Sequence, residues 1–166
     1  MKVLVVDIGG SHVKLLASDQ PEPRRFDSGK DLTPQMLVER VQAHARGWEY
    51  NLVALGYPGA VGSVGPVGEP GNLCRGWVGF DFAAAFGRAV RVANDAAMQA
   101  LVGYDGGRML FLGLGTGLGS ALVADRVVIP LELGELPIGA DEVLSDRLGK
   151  RGLDRLGEPA WKEAVM

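Results

Sequence analysis

The chain has 166 residues, near the usual size of one domain, and 47% of them are apolar, enough to fill a core. Its 17 basic and 20 acidic residues leave a formal net charge of −3, which excludes the strongly basic surface of a nucleic-acid binder and a polybasic membrane anchor. A single cysteine, Cys74, excludes an internal disulfide framework and a multi-cysteine zinc site, and Asp7 interrupts the first apolar run before it resembles a leader or a membrane span, so a soluble, cytoplasmic protein is expected.

Residues 2–6 read as a buried strand, followed by the glycine-rich segment Asp7-Ile8-Gly9-Gly10-Ser11-His12-Val13-Lys14 and a partner strand over 12–18. Residues 19–31 are polar, carry Pro21 and Pro23, and read as loop with a short edge strand at Arg24 to Asp27. Thr33 and Pro34 start a helix as cap and first residue. Leu37, Val41 and Ala45 repeat every four positions, and Gly47 ends it. A strand from Leu52 closes on Gly56-Tyr57-Pro58-Gly59, and residues 58–80 form a long irregular stretch rich in glycine and proline. A short helix near Phe82 to Phe86 and a strand at Val90 to Ala93 lead to Asn94-Asp95, one of which is expected to cap a helix over Ala96 to Tyr104.

The second half reopens as the first did. A strand at Met109 to Leu112 enters Gly113-Leu114-Gly115-Thr116-Gly117-Leu118-Gly119-Ser120, and a strand at Ala121 to Ala124 leaves it. A tight Asp125-Arg126 turn leads to a third strand, Val127 to Ile129, then to Glu132-Leu133-Gly134-Glu135. The remainder is helical in pattern and broken at Gly149, Gly152 and Pro159. The repeated plan predicts a duplicated α/β fold, two lobes around a cleft, divided as residues 1–94 and 95–166.

Both glycine-rich segments lie between strands and carry a hydroxyl residue. Glycine permits unusual φ values and close backbone approach, so amide groups can turn inward around an anion. Two such loops suggest a grip on a phosphate chain from both sides, and a plain hairpin turn is the alternative for either alone.

In order along the chain, these motifs resemble the ROK family of sugar kinases, which have the actin-like (ribonuclease H-like) fold. Asp7-Ile8-Gly9-Gly10-Ser11 with Lys14 is similar to the family's first phosphate motif, and Gly56-Tyr57-Pro58-Gly59 to its Gly-x-Pro-Gly element. Asn72-Leu73 with Trp77 resembles its sugar loop, Asn94-Asp95 its catalytic pair, and Gly115-Thr116-Gly117-Leu118-Gly119 its second phosphate motif. Glu132-Leu133-Gly134 matches most of a Glu-x-Gly-His sugar motif, with Glu135 where the family has histidine. Within the family, the spacing and the lack of a cysteine-rich zinc motif are most similar to the polyphosphate glucokinases. The resemblance covers residues 2–136, and the family continues with a further strand–helix portion, so the second lobe is expected to be incomplete.

The resemblance implies phosphoryl transfer from ATP or polyphosphate to a hexose such as glucose, with Mg²⁺. It makes Asp95 the base that takes the proton from the attacking hydroxyl, where the residue alone also reads as a helix cap. It makes Asp7 the Mg²⁺ residue, holding the ion through water, where a turn-initiating aspartate is the alternative. Gly9, Gly10, Ser11, Gly115, Thr116 and Gly117 become the phosphate cradle. Asn72, Asn94, Asp95, Glu132 and Glu135 become the sugar contacts, the glutamates as acceptors only. Trp77 reads equally as a wall of the sugar site and as core, and Lys14 as an exposed strand lysine. Arg147, Arg151 and Arg155, four apart, form a basic stripe for polyphosphate if they share one helix, or else a solvated face. The same residues admit a catalytically inactive sugar- or nucleotide-binding relic, or a fragment of a longer kinase. A homodimer is expected to cover what the missing portion would have covered, with no nucleic-acid or membrane partner.

Overall fold

Alternation at Leu4, Val6 and Ile8 buries one face of strand β1 (Val3–Ile8), and Val13, Leu15 and Ala17 do the same for β2 (His12–Ala17). The computed structural model describes all residues from Met1 to Met166. They divide into two compact units, Met1–Asp95 and Ala96–Met166.

In the first unit β1 and β2 pair antiparallel, with Ile8 opposite Val13, and the Gly9 amide donates to the His12 carbonyl at 3.0 Å to close the turn. β3 (Arg24–Asp27) adds to β2, while β4 (Leu52–Tyr57) and β7 (Ala89–Asn94) add in parallel on the other side, giving the order β3-β2-β1-β4-β7. The first crossover is α1 (Pro34–His44), capped by Thr33, whose hydroxyl accepts from the Met36 amide at 3.2 Å; Leu37, Val38 and Val41 bury its inner face. Within the irregular stretch lie a small hairpin, β5 (Val61–Gly62) with β6 (Gly65–Pro66), and then α2 (Phe82–Phe86), capped by Asp81 and ended by left-handed Gly87. Tyr57, Trp77 and Phe82 join the core, with the Tyr57 and Trp77 ring centroids 5.6 Å apart. Trp77 is fully buried, so it is core and not a wall of a site.

The register aligns Asp7 of β1 with Gly56 of β4, Gly56 with Ala93 of β7, and Tyr57 with Asn94. Three parallel strands therefore end side by side. In open α/β sheets that end is where ligands bind.

The second unit opens within α3 (Asp95–Ala100), one residue after its start, and Ala97 and Ala100 of this helix pack with Ala121 and Val123 and with the half-buried Met109, Phe111 and Val128. The helix expected to reach Tyr104 stops at Ala100 and tightens into a 3₁₀ turn over Leu101–Gly103, since Gly103 and the Asp105-Gly106-Gly107 run do not sustain it. β8 (Arg108–Leu114), β9 (Leu118–Ala124) and β10 (Val127–Leu131) form a three-stranded antiparallel sheet in the order β10-β9-β8. Asp125 and Arg126 both take positive φ, 52° and 67°, as a two-residue turn of primed type requires.

A 3₁₀ turn at Leu133–Glu135 leads to α4 (Leu144–Leu148), α5 (Lys150–Leu156) and α6 (Glu158–Val165). Of the three expected breaks, Gly149 alone separates helices. Gly152 lies inside α5, where a Cβ would collide with the Arg147 carbonyl, and Pro159 sits in the first turn of α6, where its missing N–H costs nothing. The three arginines do not share one helix. Arg147 belongs to α4, while Arg151 pairs with Asp146 at 2.9 Å and Arg155 pairs with Glu142. No helix is long and apolar enough to cross a membrane.

Candidate functional site

In the first unit the candidate residues gather at the carboxyl ends of β1, β4 and β7. Asp7 is half-buried in β1, opposite Lys14 of β2, whose side chain is exposed. Gly9 and Gly10 do not adopt positive φ; their value is close approach. A Cβ on Gly9 would lie 2.9 Å from the His12 carbonyl oxygen, and the space beside Gly10 is taken by the amide of Asn72. The loops that match the first phosphate motif and the sugar motif thus touch, through Gly10 and Asn72. Ser11 and Asn72 are exposed.

The loop that carries Asn72 is held from within. The Glu69 carboxylate accepts from the Gly76 and Trp77 amides, each at 3.0 Å, and the hydrogen bond from Trp77 is the main cause of its carboxyl lying below the ordinary range. Trp77 Nε1 donates to the Cys74 carbonyl at 2.6 Å. The Tyr57 hydroxyl donates to the Gly68 carbonyl at 2.8 Å, and burial pushes its phenol well above the usual range. Asn94 is buried at the end of β7, and its Nδ2 donates to the Gly59 carbonyl at 3.2 Å, fixing the Gly56–Gly59 turn. Asp95 follows, half-buried, as the first residue of α3, where its negative charge suits the helix dipole.

In the second unit the Gly115 amide donates to the Gly117 carbonyl at 3.0 Å to close the β8–β9 turn. Helices α4 and α5 support it. The Ser145 hydroxyl accepts from the Leu118 amide at 3.0 Å, and the Lys150 amide donates to the Gly115 carbonyl at 2.9 Å. A Cβ on Gly149 would lie 2.9 Å from both the Thr116 oxygen and the Gly117 Cα, so only glycine lets the helix junction seat against the loop. The Ser120 hydroxyl donates to the Leu131 carbonyl at 2.9 Å and accepts from the Leu133 amide at 3.1 Å, pinning both ends of the approach to Glu132. Glu132 and Glu135 share the following turn, with the Glu135 amide donating to the Glu132 carbonyl. Although Glu132 has solvent access, partial burial, and then the Glu135 carboxylate, raise its carboxyl above the ordinary range.

Four residues to which sequence reading gives no role in these loops organise them: Glu69, Ser120, Ser145 and Gly149. Ser28 is a fifth. Its amide donates to the Ser11 carbonyl at 3.0 Å, and its hydroxyl is buried with no partner in the chain. No group of three or more His, Cys, Asp or Glu side chains gathers to hold a metal ion. A lone strand-end carboxylate such as Asp7 still fits Mg²⁺, which keeps most of its water and takes phosphate oxygens as further ligands.

No family model matches the chain. The curated polyphosphate glucokinase of Mycobacterium tuberculosis is 31% identical over 158 residues, covering 82% of this chain. The chain spans 59% of that relative's length. The crystal structure of an inorganic polyphosphate/ATP-glucomannokinase from Arthrobacter sp. strain KM superposes with a TM-score of 0.77 at 26% identity, covering 94% of this chain and 71% of that one. A ROK family glucokinase from Streptomyces griseus, solved with glucose and AMPPNP, gives 0.78 at 19% identity, over 94% of this chain and 60% of that one, a likeness of fold. Sheet order, hairpin placement and these neighbours define the actin-like α/β class. Within it the chain is similar to the ROK family of sugar kinases.

Proposed function

We propose that the chain is a glucokinase-like phosphotransferase, moving a phosphoryl group from ATP or polyphosphate to a hydroxyl of a hexose such as glucose. The observation that carries this reading is the strand-end cluster of the first unit. There the residues matching the donor motif (Asp7, Gly9, Gly10, Ser11) and those matching the acceptor motifs (Asn72, Asn94, Asp95) occupy one edge, with Gly10 packed on Asn72.

Phosphoryl transfer asks mainly for positioning and for charge neutralisation. In this proposal Asp95 accepts the proton of the attacking sugar hydroxyl, a role typically worth ~10²–10⁴ in rate. Asn72 and Asn94 offer the sugar a donor and an acceptor each, and Glu132 and Glu135 acceptors only. Gly9, Gly10 and Ser11 in the first unit, and Gly115, Thr116 and Gly117 in the second, present amides and hydroxyls to donor phosphates. Mg²⁺, held at Asp7, neutralises phosphate charge when bound. The reaction belongs in the cytoplasm, where both donors occur, and a homodimer is the proposed state.

The test is glucose phosphorylation with Mg²⁺, run separately with ATP and with polyphosphate, beside Asp95→Asn. Turnover by the parent chain that disappears in the variant supports the reading. A folded chain that transfers from neither donor to any hexose of a panel overturns it, and retained sugar binding in that case identifies the inactive relic.

A further inference from the structure

Strand register in the first unit sets Asp7 of β1 opposite Lys14 of β2, and Lys14 opposite Arg25 of β3. Residues directly opposite each other share one face of a sheet, so the three side chains stand in a row, about 5 Å from strand to strand. The next row toward the Gly9–His12 turn holds His12 opposite Asp27. The end of β3 is tied to that turn, since the Ser28 amide donates to the Ser11 carbonyl at 3.0 Å.

The row reads acid, base, base, and Arg25 is its surplus cation. Like charges directly opposite are unfavourable in a sheet. The ion pairs of the first unit are Lys2 with Asp19 and Glu49, and His12 with Asp27 at 3.4 Å. Lys14 and Arg25 belong to none of them, and both are exposed. The carboxylate of Asp27, two residues along β3, is turned to His12. The neighbouring guanidiniums are engaged elsewhere. Arg24 donates to the His44 and Arg46 carbonyls and lies over the Trp48 ring, and Arg40 donates to the Asp27 carbonyl and lies over Phe26. Arg25 has no carbonyl, ring or carboxylate of this kind.

We infer that Arg25 is a donor-specificity residue, which together with Lys14 binds phosphates of an inorganic polyphosphate chain beyond the one transferred; this rests on the phosphotransferase reading. ATP carries three phosphates and then an uncharged nucleoside, whereas polyphosphate continues as an anion. A cation set one strand beyond Lys14 therefore rewards the longer donor. Guanidinium takes phosphate oxygens in pairs and ammonium takes them as a point charge, so the two side chains bind adjacent phosphates without competing. An anion lying over both also removes the repulsion that the free chain bears.

Binding is measured as well as turnover, so failure here is separate from failure of the kinase reading. Long-chain polyphosphate and tripolyphosphate are titrated against the parent chain, Arg25→Gln, Arg25→Lys and Arg91→Gln. Arg91 is exposed on β7, four strand spacings from β3, about 20 Å away and beyond the screening length of physiological salt. Its loss changes net charge equally. Arg25→Gln is expected to weaken long-chain polyphosphate about tenfold and tripolyphosphate by less than about threefold, with part of the loss recovered in Arg25→Lys. Arg91→Gln is expected to change neither. In turnover, the KM for polyphosphate relative to that for ATP rises by the same factor in Arg25→Gln. Its melting temperature is expected to be no lower than the parent's, because a like-charge opposition is removed. A chain that binds no long polyphosphate, equal losses in Arg25→Gln and Arg91→Gln, or equal losses for both chain lengths overturns the proposal. If hexose is still phosphorylated from ATP in that case, the kinase reading stands without it. A chain that transfers from neither donor, yet loses long polyphosphate in Arg25→Gln alone, keeps this site and loses that reading.

Discussion

The two glycine hairpins follow one plan and rest on different supports. The first lies inside a five-stranded sheet, with β1 paired on both sides and a core that includes Leu4, Val6, Leu37 and Trp77. The second lies at the margin of a three-stranded sheet, whose buried core is Ala97, Ala100, Ala121 and Val123. What the second lacks in core it draws from polar and steric fitting: Ser145 and the Lys150 amide hold the turn, and Gly149 and Gly152 let the helices close in. A glycine hairpin is therefore a local device, while its rigidity depends on the sheet around it. The first hairpin is tied to hydrophobic burial and the second to hydrogen bonds and close backbone contacts.

The largest expected effect separates chemistry from scaffold. Asp95→Asn is expected to cut kcat by ~10²–10⁴ with only a small fall in melting temperature, read by coupled assay and calorimetry. Next comes the core of the first unit. Leu37→Ala removes a fully buried side chain and is expected to cost about 2–5 kcal/mol, seen as lost hydrogen-exchange protection in β1, β2 and β4. Gly152→Ala is the matching lesion in the second unit. It drives a methyl into the Arg147 carbonyl and is expected to cost about 1–3 kcal/mol, with protection lost in β9, α4 and α5 and retained in β1 and β4. Equal loss in both units would mean that the two supports act as one.

Two smaller effects follow from charge. Glu69 lies below the ordinary carboxylate range because amides of its loop donate to it, so its contribution is present above pH 4.5 and is lost as pH falls through its lowered value. Exchange of the Gly76 and Trp77 amides is expected to quicken over that acid range, and Glu69→Gln to remove the dependence. Glu132 has the opposite sign. Its raised value means that the folded chain prefers the neutral carboxyl, so stability falls as pH rises through that value. Glu132→Gln is expected to melt slightly higher at neutral pH, by a few tenths of a kcal/mol, with the difference vanishing in acid while hexose affinity drops. A lower melting point at neutral pH would remove Glu132 as a residue kept at a cost to stability.

Much of this fold can be read from local pattern. Alternation marks β1 and β2, the Thr33-Pro34 start and four-residue repeat mark α1, and the Asp125-Arg126 turn marks the last hairpin, because each is decided by neighbours a few residues away. The ordered motifs also lead to the family. What stays hidden is set by distant contacts. Glu69 looks like any loop glutamate until Gly76 and Trp77 turn back on it, and Ser145 resembles an ordinary helix serine until Leu118 arrives from β9. Gly152 reads as a break because glycine usually is one; only the Arg147 carbonyl beside it shows a packing need. The arginine spacing misleads for the same reason, since the junction at Gly149 is a tertiary fact.

The contact of Gly10 with Asn72 has a consequence for how this chain can change over generations. A side chain at position 10 turns the exposed Asn72 amide aside, so what stands at one position sets where the other's side chain rests. A change at Gly10 is tolerated once that amide swings away, and the sugar contact proposed for Asn72 is then moved or lost. Under the proposed function, drift in the Gly9-Gly10 loop is thereby restrained by selection on the sugar, and an altered sugar preference is a route by which that loop becomes free to diverge.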